Sequence, residues 1–330
     1  MGCPYLFYIY CGMNTSRKKF LRTALAAGAA TLIPGSVFSA TGKPEIVSPN
    51  RKRTSRIAHF TDVHLQPDGA APKGFEAALH GVQSMEDKPE AIIFSGDNIM
   101  DAFSASRERT KTQWDLWNKM IKDECSLPIY PLLGNHDVWG WGLLGKYKKD
   151  EHFGKQWAVE ELKIPNRYYS FDLGGWKFIM LDSTAKHGVG YKAKLDDEQK
   201  NWLKAEVAKT PVTTPICVVS HIPIYAMCVF MDGNRMKKDN WNVPGGLMHV
   251  EAHELKDLFY QHKNVKLCLS GHIHLQDAVE YLGVKYLCNG AVCGAWWGGN
   301  NQEFAPNYTI IDLYDDGTSD YFLVNYPWKG

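Results

Sequence analysis

The sequence predicts one layered α/β domain, and three observations carry that prediction. Strand-like and helix-like signals alternate along the chain from Arg56 onward, the pattern of sheets covered by helices. Five short blocks rich in Asp, Asn and His each stand where an apolar, β-leaning run ends, and strand ends are where an open α/β sheet places its ligand site. The 330 residues, 45% hydrophobic and 22% charged, suffice for one large core, and two small domains fit the length less well.

Strands are expected at Ile57–Phe60, Ala91–Ser95, Ile129–Leu133, Tyr168–Leu173, Lys177–Leu181, Ile216–Ser220, Val265–Ser270, Val284–Cys288, Tyr308–Tyr314 and Tyr321–Val324. Most are short runs of β-branched or aromatic residues. Helices are expected at Gly74–Met85, Thr110–Asp123, Asp196–Lys209 and Ala252–His262. The third is the clearest: Asp196 or Asp197 can cap it, and Leu195, Gln199, Trp202, Leu203 and Val207 recur at helical spacing. No repeat of about 20–50 residues is present, which excludes a solenoid or propeller. Trp139–Gly154, Ala226–Met248 and Gly294–Pro306 are loop-rich, follow three of the blocks, and read as substrate-facing.

Residues 1–40 read as an export signal. The basic run from Ser16 to Arg22 precedes an apolar, Ala-rich stretch, Thr23–Ile33, that ends at Pro34-Gly35. The run resembles a twin-arginine signal with Lys18 in place of the second Arg. Cleavage is expected after Ser39, and Met13 is an alternative start to Met1. The apolar stretch is too short and too weakly apolar for a stable membrane span. Residues 41–55 read as a linker and 56–330 as the single domain, exported to the periplasm or cell envelope of a bacterium. Six cysteines remain once Cys3 and Cys11 leave with the signal. Cys288 and Cys293 are disulfide candidates by proximity, while Cys217 and Cys268 read as small buried hydrophobes. A net charge of +1 argues against nucleic acid as a partner.

The five blocks are Thr61-Asp62-Val63-His64, Ser95-Gly96-Asp97-Asn98, Gly134-Asn135-His136-Asp137, Ser220-His221-Ile222-Pro223 and Gly271-His272-Ile273-His274. Asp62 and His64 stand two apart, as do His272 and His274, so on extended backbone each pair shares a face, with Ile273 turned to the core. Gly96 lets backbone approach and leaves the Asp97 carboxylate free to bridge two ions. Asn135 adds a neutral oxygen where a further carboxylate would over-neutralise the pair. Imidazole, carboxylate and amide-oxygen donors suit two divalent ions of the Mn²⁺, Fe²⁺ or Zn²⁺ kind better than Ca²⁺. Such a pair, about 3.5–4 Å apart, lowers the pKa of a shared water and neutralises phosphoryl oxygens. His136 is not needed as a ligand and can protonate a leaving oxygen.

Taken together, D-x-H, G-D, G-N-H-D, the His of Ser220-His221 and G-H-x-H resemble the calcineurin-like metallophosphoesterases, over roughly Arg56 to Pro327. The resemblance implies a four-layer α/β/β/α sandwich. It implies one ion held by Asp62, His64, Asp97 and His274, and a second held by Asp97, Asn135, His221 and His272, with Asp97 bridging. It also implies His136 as proton donor, with Asp137 as its partner. Protein Ser/Thr phosphatases carry Arg where this chain has Leu133, and purple acid phosphatases carry Tyr where it has Met100. Those departures leave the cyclic-nucleotide and glycerophosphodiesterase group, or its many unassigned bacterial relatives, as the nearest in pattern.

The expected activity is hydrolysis of a small phosphodiester by a hydroxide bridging the two ions, with a phosphomonoesterase as the alternative. A scaffold protein without catalysis is disfavoured because no ligand is missing. Asp182 reads as a structural cap, His59 as a sheet residue, and His249 and His253 as lying outside the ligand set. Trp296, Trp297, Trp139 and Trp141 follow two of the blocks and are candidates either for pocket walls that stack on a nucleobase or for packing.

Overall fold

Two β-sheets lie face to face, each with helices on its outer side, in a computed structural model that describes residues 50–326 and Trp328. The first sheet runs β15 (Ser319–Asn325), β14 (Asn307–Tyr314), β1 (Arg53–Phe60), β2 (Ala91–Ser95), β3 (Ile129–Leu132). The second runs β12 (Asp277–Tyr281), β13 (Val284–Cys288), β11 (Val265–Ser270), β8 (Ile216–Ser220), β5 (Trp176–Leu181), β4 (Tyr169–Leu173). Strands β1, β2 and β3 are parallel, as are β5, β8, β11 and β13. Their carboxyl ends therefore come out at one edge of each sheet.

Alternation along the strands builds three apolar layers. Ile57, Ile93, Leu132 and Ile311 of the first sheet meet Phe178, Val219, Leu267 and Leu269 of the second. The neighbours Phe60, Ile92 and Phe94 face outward onto α1 (Ala71–Gln83) and α2 (Arg107–Glu124), where Phe75, Trp114 and Trp117 cover them. Ile179 and Val218 face outward onto α4 (Asp197–Lys209) and α5 (Ala252–Gln261) through Leu203, Val207, Leu255 and Phe259. A short helix, α3 (Gln156–Glu161), lies between β3 and β4 in the chain. Strands covered on both faces need apolar residues on both, which is why the central ones are continuous hydrophobic runs. The result is the four-layer α/β/β/α arrangement.

Several local features differ from the sequence-based expectation. β1 begins at Arg53, inside the stretch read as linker, because Arg53 reaches Asp87 and Arg56 forks onto Asp312 at 2.6 and 2.7 Å. The edge strand β12, the hairpin β6–β7 (Thr184–His187, Gly190–Ala193) and the two-residue strands β9 (Met236–Lys237) and β10 (Asn240–Trp241) carry no apolar alternation and are held mainly by backbone pairing. Cys288 and Cys293 do not pair: the first thiol faces the Gly271 carbonyl, the second His274 and the Gly294 carbonyl. The expected signal and most of the linker lie outside the described residues. Among the described residues no helix is long and apolar enough to cross a membrane.

His59, near the carboxyl end of the central strand β1, illustrates how a buried sheet treats a polar side chain. The Asn289 amide donates to its Nδ1, so Nε2–H donates to Ser95 Oγ at 2.7 Å. Burial pushes its pKa down to about 3, against a smaller opposing effect of Asp62. Between pH 6.5 and 3 the unfolded chain binds a proton at this residue and the folded chain does not, so acid removes stability through that window. Wild type should lose about 2 kcal/mol more than His59→Gln on going from pH 7 to pH 5 in urea unfolding. Parallel losses would mean that His59 is not the acid-sensitive group.

Candidate metal centre

The five blocks leave the carboxyl ends of β1, β2, β3, β8 and β11 and meet at the seam between the two sheets. Five of the side chains come from backbone in the left-handed region: Asp62 (φ 54°), His64 (46°), Asp97 (52°), His272 (72°) and His274 (57°). That conformation is disfavoured by about 1–2 kcal/mol per residue, least for Asp, Asn and His. The paired ligands thus share a direction through two left-handed residues flanking a core residue, rather than through a strand pleat. Val63 is 0% exposed and Ile273 5%, so each intervening side chain is the anchor that turns its neighbours outward.

Backbone bonds stitch the loops together. Asp62 N donates to Gly96 O (3.1 Å), His64 N to Asp97 O (2.9 Å) and Gly271 N to His221 O (3.0 Å). Across the seam, His272 N donates to Asp62 Oδ2 at 2.8 Å. The loops approach so closely that side chains are excluded at two glycines. A Cβ on Gly134 would overlap the Asp97 carboxylate, and one on Gly271 would overlap Thr61 and the Asp62 carboxylate.

The donor atoms form two overlapping sets. In the first, His274 Nε2 lies 3.1 Å from His64 Nε2 and 3.3 Å from Asp62 Oδ1. In the second, His221 Nε2 lies 3.1 Å from Asn135 Oδ1 and 3.2 Å from His272 Nδ1. Asp97 Oδ2 belongs to both, 3.6 Å from His64 Nε2 and 3.1 Å from His221 Nε2.

The outer ring nitrogens fix what the inner ones can do. His274 Nδ1 donates to Gly294 O (2.7 Å), His221 Nδ1 to Ser95 O (2.9 Å) and His272 Nε2 to Gly246 O (2.9 Å). In the neutral rings the inner nitrogens of His221 and His272 are then lone pairs, and lone pairs 3.2 Å apart repel unless a cation lies between them. Asp62 Oδ1 is buried without a hydrogen-bond donor. Burial disfavours charge on His221, but Asp97 outweighs it and pushes the ring up to about 9; His64 is pushed down to about 4 by burial and then by His136. Imidazole nitrogens, two carboxylates and one amide oxygen fit divalent ions of the first transition row.

His136 and Asp137 divide their duties differently from the expectation. Both Asp137 oxygens are taken by donors of the ligand loops: Asn98 N (3.0 Å), Ile99 N (3.2 Å), Gly134 N (2.8 Å) and the Asn98 amide (2.9 Å). The His136 ring bonds Met100 O through Nδ1 at 2.5 Å, so Asp137 positions two loops rather than serving His136. Burial, then the Asp97 charge, raises the Asp137 carboxyl to about 6. His136 N donates to Asp97 Oδ1 at 2.8 Å, and its ring meets the His64 ring edge-on, centroids 4.6 Å apart.

The residues weighed on the periphery also resolve. Asp182 is fully buried and ion-paired with Lys155 and Arg167, a structural anchor at the root of the β6–β7 hairpin. His249 is buried beside Glu251, while His253 is exposed and pairs with Asp257, so the two do not act together. Trp139 and Trp297 are core residues; Trp141 is half-buried near Lys155 and Lys186. Trp296 is the most exposed of these four, at 47%. Sequence reasoning missed Tyr191, whose ring lies 6.0 Å from that of His272; it belongs to the unpredicted hairpin.

The profile of the calcineurin-like phosphoesterases matches residues 55–276, and the chain belongs to that family. It is a metal-dependent phosphoric ester hydrolase, and family membership implies divalent metal ions. The chain is 23% identical to a 3′,5′-cyclic-nucleotide phosphodiesterase of Nostoc sp., over 85% of this chain and 96% of that one. It is 24% identical to the human serine/threonine-protein phosphatase CPPED1 over 66% of this chain and 63% of that one, less than two thirds of that protein's length. A dimetal phosphatase of Danio rerio shares the fold over 84% of this chain and 100% of its own, with a TM-score of 0.55 at 11% identity.

Two substitutions probe this architecture. Gly271→Ala should push the Asp62 carboxylate off position and weaken metal binding about tenfold or more, read by competition with a chelator. Unchanged metal affinity would show that the seam tolerates a methyl group there. Asp137→Ala should lower stability by about 3–5 kcal/mol in urea unfolding, because buried N–H donors lose their acceptor.

Proposed function

We propose that this protein is an exported phosphodiesterase that hydrolyses small phosphodiesters at a two-ion centre. The observation that carries the reading is the position of Asp97 Oδ2 between two donor sets, within 3.6 Å of His64 Nε2 and 3.1 Å of His221 Nε2. Asp62, His64 and His274 would hold one ion with Asp97, and Asn135, His221 and His272 the other. Mn²⁺, Fe²⁺ and Zn²⁺ suit these donors. Ions bound there supply charge neutralisation for the phosphoryl oxygens and an acidified water as nucleophile.

The protein's own groups do the rest. Left-handed backbone at the ligand residues and the stitched loops hold the donors in place before substrate arrives, so little reorganisation remains for the reaction. The His136 Nδ1–H stays on Met100 O, which leaves Nε2 of the protonated ring to give its proton to the departing oxygen. The preference for diesters is supported by relatives named as cyclic-nucleotide phosphodiesterases, from Nostoc sp. and Haemophilus influenzae. A phosphomonoesterase is the second reading, favoured by the fold shared with the Danio rerio dimetal phosphatase. Export rests on the basic run at Ser16–Arg22 and the apolar stretch at Thr23–Ile33, both outside the described residues.

Metal-stripped protein given Mn²⁺, Fe²⁺ or Zn²⁺ should turn over bis(p-nitrophenyl) phosphate faster than p-nitrophenyl phosphate; the reverse order promotes the monoesterase. Asp97→Asn and His221→Ala should each reduce turnover about a thousandfold or more while the thermal transition stays cooperative. His136→Ala should damage alkyl esters about a hundredfold and aryl esters far less, since a phenolate leaves without a proton. Equal damage to both would remove His136 from the acid role. Fractionated cells expressing the full chain should yield a periplasmic form lacking residues 1–39, and an uncleaved cytosolic form would refute export.

A further inference from the structure

Trp296 stands at the rim of the metal centre on strained backbone. Its indole stacks on the His274 ring, centroids 4.5 Å apart, and lies 6.1 Å from the His64 ring. Trp296 (φ 48°) and Trp297 (φ 69°) are consecutive left-handed residues. Each is disfavoured there by about 1–2 kcal/mol, and such strain clusters at functional sites. Glycine or asparagine would make this turn without the penalty.

What enforces the turn is Trp297. Its indole is driven into the core, 6% exposed and edge-on to Trp328 at 5.4 Å, and its N–H donates to His64 O at 3.1 Å. With one indole anchored beneath a ligand loop, the preceding one is turned out, against His274 on one side and solvent on the other. The second donor set has an aromatic neighbour too: Tyr191, edge-on to His272 and backed by Phe103 at 5.9 Å. Tyr191 is wedged between two rings, whereas Trp296 is 47% exposed.

We propose that Trp296 is a specificity-determining shelf on which the base of a nucleoside phosphodiester stacks, with its phosphate held at the adjoining metal centre. The proposal rests on the reading of the site as a phosphodiesterase and names its substrate class. A nucleobase lies one sugar away from the phosphorus, so a phosphate at the donor sets brings the ring over a platform next to His274. Stacking a base on an indole strengthens binding by about five- to a hundredfold, and it does so for any base because every base has a π-face. Glycerol or ethanolamine esters have no ring to place there.

The test is calorimetric titration of the metal-loaded protein with adenosine 3′,5′-cyclic phosphorothioate, which resists hydrolysis, and with inorganic phosphate, which has no ring. Trp296→Ala should weaken the nucleotide about tenfold, at least five times more than phosphate, and Trp296→Phe should recover most of the loss. Equal weakening of both ligands would overturn the proposal and make Trp296 a support for His274. A larger loss for phosphocholine than for the nucleotide would also overturn it, because an ammonium group on the indole would then be the preferred guest. Wild type that turns over no diester, yet binds the nucleotide through Trp296, would refute the phosphodiesterase reading and leave the shelf standing.

Discussion

Asp97 is the point about which the molecule is arranged. One carboxylate oxygen accepts the His136 backbone N–H, and the other faces both donor sets. Its carbonyl accepts from His64, and Gly134 is bare because this side chain needs the space. A carboxylate buried to this depth is stable only among positive charge or donors. The surrounding histidines, the loop amides and the ions implied by the family meet that demand. Asp137, two residues after Asn135, holds the same loops from behind.

The second theme is how the chain aims its ligands. Strand ends bring the blocks to one edge, but regular extended backbone would leave alternate residues spread along a pleat. Left-handed residues at Asp62, His64, Asp97, His272 and His274 shorten each loop so that donors converge within about 4 Å. Buried Val63 and Ile273 hold the strained conformations in place by packing. Apolar burial at the seam thus stabilises polar geometry at the surface of the cleft.

Much of this was legible in the sequence, for physical reasons that also mark where reading failed. The central strands announce themselves because covered faces need apolar residues, as in Ala91–Ser95 and Ile216–Ser220. The ligand blocks stand out because Asp, Asn and His after such runs have no packing role. The β6–β7 hairpin and β12 escaped because backbone pairing without side-chain burial leaves no periodic trace. Asp137 looked like a partner for its neighbour His136, yet chain adjacency says nothing about where two oxygens find donors. Trp296 and Trp297 are identical in the sequence and opposite in the fold; only the turn between Cys293 and Gly299 separates the buried indole from the exposed one.

The seam has a temporal consequence. Asp62, His64, Asp97 and Asn135 belong to the first half of the chain and to loops of one sheet, while His221, His272 and His274 arrive later on the other. Neither donor set is complete until the chain has reached the last block, with His272 and His274, more than two hundred residues after Asp62. A nascent or truncated chain ending before Gly271 carries carboxylates but lacks both imidazoles of the last block. The centre therefore closes late in the life of the polypeptide, and an ion in either set would join segments far apart in synthesis. In that sense it is a clasp fastened after the garment is sewn.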